Sequence, residues 1–208
     1  MSKLPMLPTR ADDKTMEQYV ERVVAVVQGA TEDQVERGEN WYPMANSLAE
    51  YIGQGDMKLG AGLLAVFSAN KSWTQNKILA EDAANGNVHG HVEDALAKAR
   101  RILNGEDPMI VLPEDSKTWN FYRTILDPAD PDPVVIDRHV HDAIAGMPYG
   151  NQDRNLSNKT RYATLAHAVR LASRELGTIP SVAQPILWIV HTDLTRGTGT
   201  RPKDQGYA

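Results

Sequence analysis

Apolar residues recur at intervals of three and four positions along most of the chain, and this spacing constrains its fold more than any other feature. The first such stripe runs from Met16 to Val27 and predicts an amphipathic helix over about 12–28. Comparable stripes, separated by glycine, asparagine and proline signals, predict helices over about 41–52, 58–69, 72–84, 92–103, 117–126, 137–145, 158–176 and 180–194. No stretch shows the convincing alternation of apolar and polar residues over five positions that a strand would give. The sequence therefore predicts an all-α protein with about nine helices.

The domain organisation follows from the length and from where the apolar pattern stops. A chain of 208 residues suits one compact domain. The pattern ends near residue 195, after which threonine, glycine, arginine and lysine dominate. We therefore expect a single helical domain over 1–195 and a flexible C-terminal tail over 196–208.

Composition excludes several classes of site and location. The absence of cysteine excludes disulfides, thiolate zinc sites, iron–sulfur clusters and cysteine nucleophiles. No apolar run approaches the roughly 18 to 20 residues that span a bilayer, and the first ten residues lack the apolar core of a signal peptide. These features predict a cytoplasmic protein without a membrane partner.

The charge distribution bears on nucleic-acid binding. The net charge is −5, yet residues 151–208 hold eight Lys/Arg against four Asp/Glu and form the only basic part. An acidic chain can bind nucleic acid through a local basic face. Generic binding driven by charge alone is therefore not expected.

Two residues at predicted helix starts suggest nucleophilic chemistry. Lys117 and Asp137 each follow a loop and lie twenty positions apart. A lysine nucleophile needs desolvation to lose its proton, whereas backbone N–H groups and the helix dipole favour an ionised aspartate at a helix N-terminus. Such a pair suits attack on an electrophilic carbon, although a surface lysine and a simple helix cap would give the same spacing.

Other polar clusters have plainer interpretations. His139 and Asp142 lie three residues apart and would share a helical face, but His139 and His141 point to different sides of a helix, so no metal site is predicted. The segment 70–76 gathers amides, a lysine and Trp73 between two helices, which suits a wedge or a base-stacking group and equally a simple connecting turn.

Taken together and in order, several segments resemble the helix-hairpin-helix (HhH-GPD) DNA glycosylase superfamily, in particular its endonuclease III-like members. The similar segments are Gly62–Asn70, Ala99–Pro108, Leu112-Pro113, Ser116–Thr118 and Val135–Val140. The resemblance implies a two-lobed helical domain with a central cleft. Its core would be 56–146, and its second lobe would come from 1–55 and 157–195.

The resemblance also implies an activity and its residues. Lys117 would be the catalytic lysine and Asp137 the essential aspartate of an enzyme that flips a damaged or modified base and cleaves its N-glycosidic bond through a lysine Schiff base. Asn70 would fill the gap left by the base. The predicted DNA contacts are Asn70, Lys71, Trp73, Ser116, Arg138 and His139. No metal and no cofactor are expected.

The chain departs from the family at the hairpin. The family's hairpin glycines let backbone N–H groups approach a DNA phosphate, whereas this chain has Glu114 and Asp115 between Pro113 and Ser116. Acidic side chains there should repel phosphate. Two alternatives therefore stay open: a phage-type transferase that modifies a DNA base on the same fold, and a non-catalytic helical module that binds DNA or protein.

Overall fold

The computed structural model describes residues 8–196, and every regular element within them is a helix. The helices are α1 (Asp13–Gln28), α2 (Glu32–Ile52), α3 (Met57–Phe67), α4 (Trp73–Ala84), α5 (Glu93–Leu103), α6 (Pro108–Val111), α7 (Lys117–Leu126), α8 (Arg138–Ala145), α9 (Asn151–Arg154), α10 (Lys159–Glu175) and α11 (Pro180–Arg196). The predicted all-α class is confirmed. The described residues contain eleven helices rather than about nine, because α6 and α9 are single turns too short for a periodic pattern.

The N-terminal half of α2 corrects the sequence prediction, which placed the start of this helix near 41. The helix begins at Glu32 and contains Pro43 in its interior. Thr31 and Gln34 form a reciprocal cap, since the backbone N–H of Thr31 donates to Gln34 Oε1 at 3.0 Å and that of Gln34 donates to Thr31 Oγ1 at 3.3 Å. The polar, acidic stretch 30–40 is therefore mostly helical.

The described chain divides into two compact units, and the predicted lobes had other bounds. Unit 1 contains 8–41 and 129–196, and unit 2 contains 42–128. The predicted tail, 196–208, lies outside the described residues except for Arg196, the last residue of α11.

Unit 1 is built from the packing of α1, α8, α10 and α11 on one another. Its core is apolar and includes Val23, Ile144, Leu165, Val169 and Leu187, all fully buried. The buried run 134–136 leads into α8 and joins this core. Unit 1 thereby holds the start of α8 rigidly.

Unit 2 is organised around α3, which contacts α4, α5, α6 and α7. Residues 60–67 of α3 are all buried, in agreement with its central place in the unit. Gly60 allows close approach, because a Cβ there would lie 1.8 Å from the backbone oxygen of Ala49 in α2. Unit 2 contains the turn after α3 and the start of α7, where several of the predicted site residues lie.

Among the residues that the structure describes, no helix is long and apolar enough to cross a membrane.

Candidate functional site

Asp137 stands where a buried extended segment becomes a helix. Val134 and Ile136 are almost fully buried. The hydroxyl of Tyr162 accepts a hydrogen bond from the Ile136 N–H at 3.0 Å and donates one to the Val134 carbonyl at 2.9 Å. Tyr162 thereby supplies the hydrogen bonds that a neighbouring strand would otherwise give. Asp137 follows as the N-cap of α8.

The Asp137 carboxylate receives three hydrogen bonds and is fixed in orientation. Its Oδ1 accepts from the backbone N–H groups of His139 and Val140, both at 2.9 Å. Its Oδ2 accepts from the indole Nε1 of Trp188 in α11, also at 2.9 Å. The three donors thereby hold both carboxylate oxygens in place at the N-terminus of α8. The side chain is half-buried, so the oriented carboxylate keeps access to solvent.

Two histidine rings and the indole gather beside this carboxylate. The centroid of the His139 ring lies 6.1 Å from that of Trp188, edge to face, and 5.5 Å from that of His191. Burial lowers the pKa of His139 and also that of His191, so both rings are neutral at pH 7. Arg138 Nε donates to His139 Nε2 at 3.1 Å, which a neutral ring can accept. His191 Nδ1 is buried and has no hydrogen-bond partner within the described residues.

A second polar network lies farther along α8 and is closed. His141 and Asp142 are buried, and His141 Nδ1 and Asp142 Oδ1 are 2.8 Å apart. Arg161, which is 2% exposed, donates to His141 Nε2 at 2.9 Å, so His141 carries its proton on Nδ1 and donates it to Asp142. Arg154 donates to both oxygens of Asp142.

The hydrogen bonds of this second network explain its electrostatics. Burial alone would raise the pKa of Asp142, but hydrogen bonds from His141 and Arg154 outweigh it and hold that pKa below its usual value. Both ring nitrogens of His141 are occupied by protein partners. The network is therefore structural, and Asp142 is not available to join His139 in binding a ligand.

Lys117 is the first residue of α7, as the sequence predicts, and lies in unit 2. Ser116 caps the helix: its Oγ accepts from the Trp119 N–H at 3.1 Å and is 3.0 Å from Thr118 Oγ1. Lys117 Nζ donates to the carbonyl oxygen of Ser68 at 3.4 Å. Ser116 thus acts as a helix cap, and Lys117 contacts the turn that follows α3.

The turn after α3 contains the remaining predicted residues. Asn70 is exposed and has φ +57°, a left-handed conformation that asparagine tolerates better than most residues. Lys71 is half-buried beside it. Trp73 begins α4 behind a Ser72 capping box, and its ring packs edge to face on Phe121 with centroids 6.3 Å apart. Trp73 is half-buried, so part of the indole is used in packing.

The turn between α6 and α7 stands where the resemblance predicts a hairpin. It is tight although it lacks the glycines of the DNA glycosylase family. The Ser116 N–H donates to the Pro113 carbonyl at 3.1 Å, and Asp115 adopts φ +60°. Glu114 and Asp115 are exposed. The turn between α6 and α7 therefore presents acidic side chains.

The predicted site residues fall into two groups. Asp137, Arg138 and His139 lie together in unit 1, and sequence reasoning missed their neighbours Trp188 and His191. These two lie three residues apart on α11, a spacing that places them on one helical face and could have drawn attention. The other group, Asn70, Lys71, Trp73, Ser116 and Lys117, lies in unit 2. The pairing of Lys117 with Asp137 stays a prediction.

No group of three or more histidine and acidic residues within 8–196 is arranged to hold a metal ion.

Comparison with known proteins places the chain in a family without assigning an activity. No curated protein and no solved structure matches it. The model of a family described as "Family of unknown function (DUF7178)" matches residues 6–196, which is most of the chain. The protein belongs to this family, DUF7178.

Proposed function

We propose that the protein is a DNA-base enzyme of the helix-hairpin-helix glycosylase type, which extrudes a damaged or modified base and cleaves its N-glycosidic bond with Asp137 as the catalytic carboxylate. The observation that carries the proposal is the carboxylate of Asp137, fixed by three donors at the N-terminus of α8 and half-open to solvent. As the bond to the base breaks, positive charge develops on C1′ of the sugar. A carboxylate that is already oriented stabilises that charge without reorganising.

The neutral rings near Asp137 support a site for an uncharged planar group. His139, Trp188 and His191 place three flat rings beside the carboxylate. Aromatic rings stack on extruded bases at a gain of about 1–3 kcal/mol per base. Because burial lowers the pKa of both histidines, they do not compete with the sugar for the charge of Asp137 at pH 7.

In this proposal Lys117 is the nucleophile of the same step. Its neutral amine forms a bond to C1′ as the base leaves with the electron pair of the N-glycosidic bond, and the nitrogen then gives up a proton. Breaking of the C1′–O4′ bond opens the sugar and gives the Schiff base, from which elimination of the 3′ phosphate cleaves the strand. The Lys117 ammonium donates to the Ser68 carbonyl, so it must leave this oxygen and lose a proton before it attacks.

The contact between Lys117 and Ser68 favours one second candidate, group transfer on the same fold. A carbonyl acceptor favours the ammonium form of the lysine and therefore disfavours Schiff-base chemistry. Asp137 would then act as a general base that takes a proton from an incoming amine. The amine would attack a carbon of the modified base that carries an activating group, this group would leave with its electron pair, and the base would stay attached to the strand.

Mass spectrometry of intact oligonucleotides separates these functions. The substrates are single-stranded and duplex oligonucleotides with abasic, oxidised, deaminated or hypermodified sites. A glycosylase lowers the mass by one base, and a transferase raises the mass. An unchanged mass on every substrate contradicts both and leaves a binding module.

Borohydride trapping tests Lys117, with Lys117→Arg and Lys117→Ala compared. Arginine keeps the positive charge and the donor to Ser68 but forms no Schiff base. We expect trapping by the wild type and none by either variant. Trapping by Lys117→Arg would exclude Lys117 as the nucleophile.

A further inference from the structure

The turn that follows α3 is held from two sides. After α3 ends at Phe67, the backbone N–H and the hydroxyl of Ser68 both donate to the Ala65 carbonyl, at 3.3 and 2.9 Å. The last carbonyls of a helix have no partners within it and need others. The Ser68 carbonyl accepts from Lys117 Nζ at 3.4 Å, and the Ala69 carbonyl accepts from His91 Nε2 at 2.8 Å. Two successive carbonyls are thus bound by side chains from distant parts of the chain.

The ring of His91 is fixed in one tautomer. A carbonyl oxygen only accepts, so Nε2 carries the proton donated to Ala69. The other nitrogen, Nδ1, accepts from the Val92 N–H at 2.9 Å. The ring also packs against Phe67, with centroids 6.1 Å apart. Two hydrogen bonds and the contact with Phe67 therefore fix the His91 ring against the end of α3.

The backbone before His91 brings this ring close to the core of unit 2. Gly90 has φ +76°, and a Cβ there would lie 2.5 Å from Leu79 Cδ2. Only glycine fits this combination of a left-handed conformation and close approach. The segment that delivers His91 is therefore packed tightly against α4.

Asn70 is the residue that these contacts present. It follows Ala69 directly, is exposed and adopts φ +57°. Asparagine tolerates this conformation, so the contacts made by the preceding carbonyls serve to orient the turn. The bond from His91 to the preceding carbonyl is the shortest side-chain contact described for this turn.

We propose that His91 is a positioning residue for Asn70: by holding the Ala69 carbonyl it fixes the left-handed turn that directs Asn70 outward as the wedge of the base-extruding site. This inference rests on the proposed function and on the resemblance, which implies that Asn70 fills the gap left by the extruded base. His91 itself contacts no substrate. Its role is to orient the turn before DNA binds, so that binding does not have to order it.

Four variants test this role. His91→Ala removes the donor to Ala69, and His91→Gln keeps an N–H donor at a similar reach. His89→Ala is the matched control, because His89 lies in the same segment but pairs with Asp82 Oδ2 at 2.9 Å. Asn70→Gly removes the wedge side chain while keeping a residue that tolerates positive φ.

The first measurement needs no DNA and uses hydrogen exchange of the Ser68 backbone amide, which donates to the Ala65 carbonyl where the turn begins. We expect His91→Ala to speed exchange there by up to about tenfold, the factor given by one net hydrogen bond. His91→Gln and His89→Ala should stay near the wild-type rate. Exchange in His91→Ala at the wild-type rate would overturn the anchoring role.

The second measurement uses a duplex with 2-aminopurine next to an abasic-site analogue, since this fluorophore brightens when it leaves the stack. We expect the wild type to raise its fluorescence and Asn70→Gly and His91→Ala to lose the rise. His91→Gln should restore the rise, and His89→Ala should keep it. Binding, followed by anisotropy, should change little in all four.

Two outcomes separate the inference from the proposed function. If His91→Ala loosens the turn but keeps the full rise in fluorescence, His91 does not position the wedge. If the wild type gives no rise, the proposed function fails, and the positioning role fails with it even where the exchange result is as expected.

Discussion

Helix α8 begins with two histidine–carboxylate arrangements that differ in how completely the protein satisfies them. Asp137 and His139 are half-buried, and the carboxylate is oriented yet open to solvent. His141 and Asp142 are buried, and arginines from α9 and α10 fill their remaining hydrogen-bonding capacity. Both pairs consist of one histidine and one aspartate, and they lie within six residues of each other in the sequence. Residue type and spacing therefore do not distinguish a pair whose hydrogen-bonding capacity is filled from one that stays open to solvent, whereas burial and partners do.

The greatest loss of stability is expected when the buried pair of His141 and Asp142 is disrupted. Asp142→Asn removes the charge that faces Arg154, whose side chain is only 12% exposed, and leaves a buried guanidinium without a counter-charge. Breaking such a pair from one side costs about 3–5 kcal/mol. The free energy of unfolding in urea measures it. A loss below about 1 kcal/mol would contradict the structural role of the network.

The pair of His141 and Asp142 also makes the free energy of unfolding depend on pH. The pKa of Asp142 is below its usual value because hydrogen bonds from His141 and Arg154 outweigh the effect of burial. The stability that it contributes is present above the unfolded pKa of about 3.9 and is lost as the pH falls through the lower folded pKa. Stability measured from pH 5 down to pH 2 should therefore fall more steeply in the wild type than in Asp142→Asn.

A smaller loss of stability is expected when the hydrogen bond from Trp188 to the half-buried Asp137 is removed. Trp188→Phe keeps an aromatic ring but removes the donor to Asp137 Oδ2. Since water can reach this half-buried carboxylate, we expect a loss of about 1–2 kcal/mol in the free energy of unfolding. Base release should fall more than stability suggests, because the carboxylate is free to turn. Unchanged base release would show that Trp188 does not orient Asp137.

The smallest effect concerns His191. Its buried Nδ1 lacks a partner among the described residues, so His191→Phe should change the free energy of unfolding at pH 7 by less than about 1 kcal/mol. Burial lowers the pKa of His191, so below about pH 6.5 the unfolded chain takes up the proton first and the fold loses stability. The variant should therefore have a flatter stability profile between pH 7 and 5.

Glu106→Gln is the matched control for that profile, because Glu106 pairs with Arg101, is not among the charges that act on His191, and has a carboxyl pKa below its usual value. It should keep the wild-type slope between pH 7 and 5. An equal slope in His191→Phe and the wild type would show that His191 is not buried as a neutral ring.

Much of the fold follows from local signals in the sequence. The stripes around α1, α3 and α10 and the caps at Ser116 and Asp137 predict their helices to within a few residues. The first half of α2 was missed because one of its contact residues is Gly38, where a Cβ would lie 2.3 Å from Ile186 Cγ1. Because glycine has no apolar side chain, a packing contact made through it adds nothing to the apolar pattern of the sequence. The Thr31–Gln34 capping box was the available signal.

The site was predicted only in part because its contacts are distant in sequence. Asp137 is recognisable from its position before α8, but its partner Trp188 is 51 residues away. His91 likewise reaches Ala69 across 22 residues. No local pattern encodes such pairs, and they depend on how helices pack.

Base release by the wild type and by Asp137→Asn, with stability measured on the same samples, tests whether Asp137 is the catalytic carboxylate. Asparagine still caps α8 through its Oδ1 but lacks the charge, and its Nδ2, which replaces the oxygen that faces Trp188, cannot accept from the indole. We predict a fall in base release of about 10²–10³-fold, with a loss of no more than about 2 kcal/mol in the free energy of unfolding. Base release at the wild-type rate by Asp137→Asn would contradict the account.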